Sequence, residues 1–142
     1  KGTGYGESYK YRVFNREVCR FLEKVGIPKG SKVTKSFLIP EWIKNNKEFR
    51  KACVRGLVDT DGSVFTHRYK VKCKWYSYKK LAFTSASRPL LQSVHDILTG
   101  LGIKVRLAQQ GRDIRIDSID EMKKYFRLVG SHNKKHLKRY ME

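Results

Sequence analysis

At 142 residues with 39% apolar side chains, the chain is long enough for one domain with a sizeable core. Its 32 Lys and Arg against 13 acids leave a net charge of +19. That excess is too large for an ordinary solvated surface and points to a polyanion, most often nucleic acid, with a basic structural protein as the plain alternative. Cys19, Cys53 and Cys73 form no CxxC pair, which argues against zinc and against a disulfide framework, and they read as reduced, intracellular and mostly buried. No run approaches the 18 apolar residues of a membrane span and no signal-peptide pattern is visible, so a membrane partner is not expected. The first residue is Lys, which reads as a processed piece or part of a longer chain.

Taken in order, residues 1–8 are Gly-rich and linker-like, and Tyr9 to Phe14 alternates like a strand. Asn15 is an N-cap for a helix whose apolar face is Val18, Phe21, Leu22 and Val25, stopped by Gly26 with Pro28 beyond. A basic loop from Lys29 to Lys35 follows, and Ile39-Pro40-Glu41-Trp42-Ile43 opens a short helical approach with Trp42 expected in the core. The next helix runs into Asp59-Thr60-Asp61-Gly62. Phe49, Cys53, Gly56 and Leu57 make one helical stripe, and Ala52, Gly56 and Thr60 repeat every four residues, so that missing side-chain bulk lets a second helix approach. Asp59 and Asp61 fall at the C-terminal end, where the macrodipole disfavours acids. Two explanations fit: a plain helix stop with Gly62 in the left-handed conformation, or a hard divalent cation such as Mg²⁺ shared with phosphate oxygens.

Beyond Gly62, period-two alternation puts Phe65, His67, Tyr69, Val71, Cys73 and Trp75 on one face and Thr66, Arg68, Lys70, Lys72 and Lys74 on the other. Tyr76, Tyr78 and Lys80 continue the polar face on the returning strand before Leu81 and Phe83 turn inward. A cationic ribbon of this width fits the major groove of duplex DNA. Ser87 caps a helix buried through Leu91, Val94, Ile97, Leu98 and Leu101. Two further strands carry Ile103, Val105 and Leu107, then Ile114 and Ile116. Lys104, Arg106, Arg112 and Arg115 join the outward cations, with Asp113 and Asp117 beside Arg115. Ser118 and Glu121 form a capping box for a last helix with Met122, Tyr125, Phe126 and Val129, closed by Gly130, and a basic tail follows. His132 and His136 lack a third zinc-type ligand and read as phosphate contacts or packing.

The nonapeptide Val54 to Gly62 resembles the LAGLIDADG motif of the homing endonucleases, matching at Gly56, Leu57, Asp59, Asp61 and Gly62 and departing at Arg55 and Thr60. The flanks Gly26-Ile27-Pro28-Lys29-Gly30 with Lys32, and Ile39-Pro40-Glu41-Trp42-Ile43, are similar to the same family. Tyr11 to Lys32 and Ile114 to Lys135 also read alike, each a strand, a helix ending Val-Gly and a Lys-bearing loop. The resemblance therefore implies an α+β fold: a partial repeat over 1–46, then a complete αββαββα unit over 47–142 with a four-stranded antiparallel sheet. It implies a site-specific double-stranded DNA endonuclease, borne by an intron or an intein, that uses Mg²⁺ or another divalent cation. The second motif helix would come from a second subunit or an upstream segment. Asp61 matches the metal-binding acid and Asp59 the motif's other acid, with backbone capping an equal role for Asp59. Lys135 and Lys32 match the lysine beside the attacking water, with Lys134 one residue out of register, and Ser85 or Ser87 matches a solvent-positioning residue. The binding-class alternative is an inactive DNA- or RNA-binding relative such as a maturase or regulator.

Overall fold

The computed structural model describes residue 12, residues 14–27, 29 and 30, and 37–142. The strand expected over Tyr9 to Phe14 and the loop holding Lys32 lie mostly outside these residues. The elements are α1 (Arg16–Lys24), α2 (Glu41–Lys44), α3 (Lys47–Asp61), β1 (Gly62–Val71), β2 (Lys74–Thr84), α4 (Arg88–Gly100), β3 (Arg106–Ala108), β4 (Asp113–Ile116), α5 (Ile119–Leu128) and α6 (Lys134–Met141). From α3 to α5 the order is αββαββα, and the four strands form one antiparallel sheet in the order β1-β2-β4-β3.

Every helix except the short α2, which opens on Pro40, begins where a side chain satisfies free N–H groups. Asn46 Oδ1 accepts from Glu48 N and Phe49 N at 3.0 Å, Ser87 Oγ from Leu90 N, and Ser118 Oγ from Glu121 N. The expected capping box at Ser118 is only half made. The Glu121 carboxylate turns away to accept from Lys104 N at 2.7 Å, fixing the approach to β3. The core lies on one face of the sheet, where Val64, Leu81, Phe83, Ile114 and Ile116 meet Val54 and Val58 of α3, Leu91, Val94 and Leu98 of α4, and Met122 and Tyr125 of α5. Each such aliphatic contributes about 1.5–3 kcal/mol by burial. The residues that α3 buries fully are thus Val54 and Val58; of the expected stripe, Cys53 and Leu57 pack partly buried against the core, while Phe49 is half exposed and Gly56 exposed.

Register reverses one expectation. Cross-strand partners share a face, and Val64↔Leu81 is the buried pair, so Thr66↔Lys79, Arg68↔Ser77 and Lys70↔Trp75 continue the helix side. The open side carries Phe65↔Lys80, His67↔Tyr78, Tyr69↔Tyr76 and Val71↔Lys74. A two-residue turn at Lys72-Cys73, with Lys72 at φ 52, interrupts the alternation. Arg68 and Lys70 therefore point opposite to Lys74, Tyr76, Tyr78 and Lys80.

Other expectations fail for tertiary reasons. Trp42 is 47% exposed, its Nε1–H donating to Val25 O at 2.8 Å and its ring edge-on to Phe49. Cys19 and Cys73 are exposed and Cys53 is half-buried. The apolar face of α1 is bare among the described residues, with Phe21 62% exposed. Its counterpart α5 ends the same way, Val129-Gly130 matching Val25-Gly26 with both glycines at positive φ, yet α5 buries its face against the sheet. The basic tail is a helix, α6, capped by Asn133.

Candidate active site and nucleic-acid interface

Gly62 hands the motif helix to the sheet, and it is extended (φ −93, ψ 171) rather than left-handed. Glycine is required there by proximity: a Cβ would meet Val58 O at 2.5 Å, Val58 Cγ1 at 2.8 Å and Ala82 O at 3.1 Å. The helix end is thereby pressed onto β2, and Asp61, one residue earlier, sits at the rim of the sheet.

The two motif acids have different surroundings. The Asp59 carboxylate faces the segment between α5 and α6, where Ser131 Oγ–H donates to Oδ1 and His132 N–H to Oδ2 at 2.8 Å. Asn133 Nδ2 donates to the Asp59 carbonyl at 2.8 Å while its Oδ1 accepts from Lys135 N. His136, 4% exposed, has Nδ1 3.8 Å from Asp59 Oδ1. Burial lowers the His136 pKa despite the opposing pull of Asp59 and the Gly62 backbone. Arg55, a departure from the motif, adds Nε–H to Val129 O at 2.6 Å and an Nη1 contact to His132 Nε2 at 3.2 Å. Both Asp59 oxygens thus fasten the segment that opens α6 to the motif helix. Asp61 is exposed and makes no hydrogen bond or ion pair among the described residues, and no described group of three His, Cys, Asp or Glu forms a closed metal cage.

Lys134 and Lys135 are exposed in the first turn of α6, directly after the Asn133 that is tied to Asp59. Cations at that helix end oppose the macrodipole. Ser87 caps α4 and Ser85 Oγ accepts from Ser87 N, so both expected solvent-positioning serines are engaged in local structure. Ala52, Gly56 and Thr60 are all exposed on one face of α3, and the space beside Gly56 is open to at least 4 Å. The Thr60 hydroxyl donates back to Gly56 O at 3.0 Å, which keeps that face apolar.

The open side of the sheet carries an aromatic cluster near the hairpin tip. Tyr69 stacks on Tyr76 at 5.3 Å, and His67 meets Tyr69 and Tyr78 at 5.8 and 5.4 Å. Lys80 Nζ lies 4.9 Å over the Tyr78 ring and 2.8 Å from Asp117, which also accepts from Arg106 Nε at 2.8 Å. Burial raises the Asp117 pKa, but hydrogen bonds from Arg106 and Lys80 outweigh it and lower the value, and the Asp117 hydrogen bond in turn raises that of Lys80. Arg115 pairs with the buried Asp113 at 3.0 Å. Lys74, Lys104 and Arg112 are exposed, and Lys72 occupies the turn. The contribution of His67 and Tyr69 was missed because the turn's phase shift was missed. Of the anchors, His136 is buried as the packing alternative has it, while Ser131 and Asn133 carry no sequence sign of their tie to Asp59.

A family model described as a LAGLIDADG-like domain matches residues 48–141, and the chain belongs to that family. The tRNA-splicing ligase RtcB of Methanopyrus kandleri is 30% identical over 113 residues, covering 73% of this chain and 11% of that protein. RtcB of Pyrococcus abyssi is 36% identical over 62 residues, 43% of this chain and 7% of the other. The chain thus spans only a small part of these curated relatives. A solved structure of the LAGLIDADG homing endonuclease I-GzeII in complex with its DNA target is similar over 63% of this chain and 28% of that one, with 17% identity and a TM-score of 0.43.

Proposed function

We propose that the chain is part of a site-specific endonuclease that hydrolyses phosphodiester bonds in double-stranded DNA, with a divalent cation at the ends of paired motif helices. The observation that carries this reading is the unequal condition of the two motif acids. Asp59 is engaged in the fold, while Asp61 is exposed and without a partner among the described residues, at a helix end that disfavours a negative charge. A cation shared with a DNA phosphate compensates such a charge. Asp61 would hold it through its carboxylate, with the carbonyl near Thr60 as a further oxygen donor, a small set that suits Mg²⁺. Bound there, it would lower the pKa of the attacking water and neutralise charge on the phosphate.

The chain's own groups do the rest. Lys135, with Lys134 beside it, gains from an anion near the N-terminus of α6 and is the candidate to hold the scissile phosphate or take a proton from water. The open sheet face, with Lys74, Tyr76, Tyr78 and Arg106, reads the duplex, while the buried Lys80 and the mostly covered Arg115 are held by Asp117 and Asp113 and support it from beneath. β1 starts at Gly62 and its 10 residues rise about 30 Å, so one unit would follow roughly nine base pairs of groove. The Ala52-Gly56-Thr60 face and the apolar α1 face, both uncovered among the described residues, support a second motif unit, from another subunit or an upstream segment. Likeness to a short stretch of two much longer ligase chains fits a domain carried in frame within a host protein, the intein alternative.

The test is incubation of the full-length protein with a plasmid library of randomised duplex inserts, with Mg²⁺ or with EDTA, beside Asp61→Asn. Cut ends that converge on one sequence, need the metal and vanish in Asp61→Asn support the enzyme. Tight duplex binding with no cutting under any divalent cation returns the protein to the inactive DNA- or RNA-binding relatives.

A further inference from the structure

The reversed register leaves Arg68 and Lys70 on the helix side of the hairpin, away from the face that the proposed function uses. There Arg68 borders two adjoining clefts of about 570 and 420 Å³ that share Arg68 and Ser77, and whose walls also take in Phe65, Tyr76 and Tyr78. The larger runs between β1, β2 and the end of α6, where Lys79 Nζ donates to Tyr140 O at 2.9 Å and Arg139 Nη1 to Val64 O at 3.1 Å. These bonds hold two cations at the groove wall without neutralising them. Among the described lining residues Glu142 is the one acid, and it lies 3.7 Å from Lys138 Nζ. The smaller cleft ends on Trp75, 70% exposed, with Lys70 Nζ 5.9 Å from its ring.

A row of uncompensated cations leading to an exposed indole is the combination that binds an unpaired strand: phosphates follow the charges and a base stacks on the aromatic face. A duplex hides its base faces and has no use for the indole. We propose that the groove from Arg139 and Lys79 through Arg68 to Trp75, with Lys70 beside the indole, is a second nucleic-acid site, specific for single-stranded nucleic acid and bordering the duplex-reading face at Tyr76 and Tyr78. DNA and RNA strands share this chemistry.

The test is fluorescence anisotropy of the full-length protein with labelled oligothymidylate, oligouridylate and duplex DNA, each about twelve nucleotides long, within the span of single-strand sites. Trp75→Ala is expected to weaken single-strand binding about tenfold, the loss of one stacked base, and Trp75→Phe to recover most of it. Arg68→Ala with Lys70→Ala is expected to weaken it further and to flatten its salt dependence. Duplex affinity is expected to change less than about threefold in all three variants, whereas Lys74→Ala on the open face should show the converse pattern. The tighter of the two oligonucleotides identifies the natural strand, and equal binding means the groove does not read the sugar. Absence of saturable single-strand binding, or equal losses for strand and duplex in Trp75→Ala, would overturn the proposal. Cleavage is not read in this experiment, so its failure leaves the Asp61 chemistry untouched.

Discussion

Replacing Gly62 by Ala should cost far more than a methyl group ordinarily does. The added Cβ would lie 2.5 Å from Val58 O and 3.1 Å from Ala82 O, and both are backbone atoms. Val58 O accepts the Gly62 N–H that ends α3, and Ala82 belongs to the β1–β2 ladder, so neither can step aside as a side-chain tip would. The backbone angles at Gly62 suit alanine, which by itself stabilises by about 0.4–1 kcal/mol through the unfolded chain. Overpacking costs about 1–3 kcal/mol, and rigid neighbours put this site at the upper end, for a net loss of about 2 kcal/mol. At about 4 °C per kcal/mol for a chain of this size, Tm should fall by about 8 °C. Thermal unfolding by circular dichroism measures it, with Gly56→Ala as the internal control. Nothing lies within 4 Å of a Cβ at Gly56, and helix propensity alone should raise Tm by about 2–4 °C. Equal melting of Gly62→Ala and the parent would refute the close approach, and with it the argument for where Asp61 is held.

Three further outcomes follow from the same geometry. Asp59→Ala strips two charge-assisted hydrogen bonds from the Ser131–His132 segment, so stability should drop by about 3 kcal/mol in urea unfolding, with the loss reporting a structural acid. His136, whose pKa is lowered by burial among Asp59, Arg139 and Lys135, binds a proton more readily unfolded than folded; stability should therefore fall as pH drops below about 6.5, and His136→Gln should flatten that part of the pH profile. Lys74→Ala, on the open face, should reduce the slope of log affinity for duplex DNA against log salt by about 0.9 if its ammonium meets one phosphate, read by anisotropy over a salt series.

The order of elements was legible because each start and stop is written locally: Asn15, Ser87 and Ser118 as caps, Gly26 and Gly130 as ends, and an apolar stripe between. The outward set on β2 was legible for the same reason, since Leu81 and Phe83 set its phase. On β1 the phase was lost at Lys72-Cys73, a tight turn made without the Asn or Gly that usually announces one, so the cationic face was assigned to the wrong side. The Asp59 network was illegible for another reason. Its partners Ser131, His132 and Asn133 lie more than seventy residues away, and only tertiary packing brings them to the helix end. The same applies to α6, eight residues rich in lysine, whose order comes from Asn133, His136 and the stacking of Tyr140 on Phe126 at 3.9 Å.

Asp61 is exposed and without a partner among the described residues, and Asp61→Asn tests its proposed part in cutting in one protein with three readings. Tm and duplex affinity should match the parent, while metal-dependent cutting of the duplex should disappear. Cutting that survives the substitution, or a Tm that falls with it, would contradict the assignment of the exposed carboxylate to the reaction.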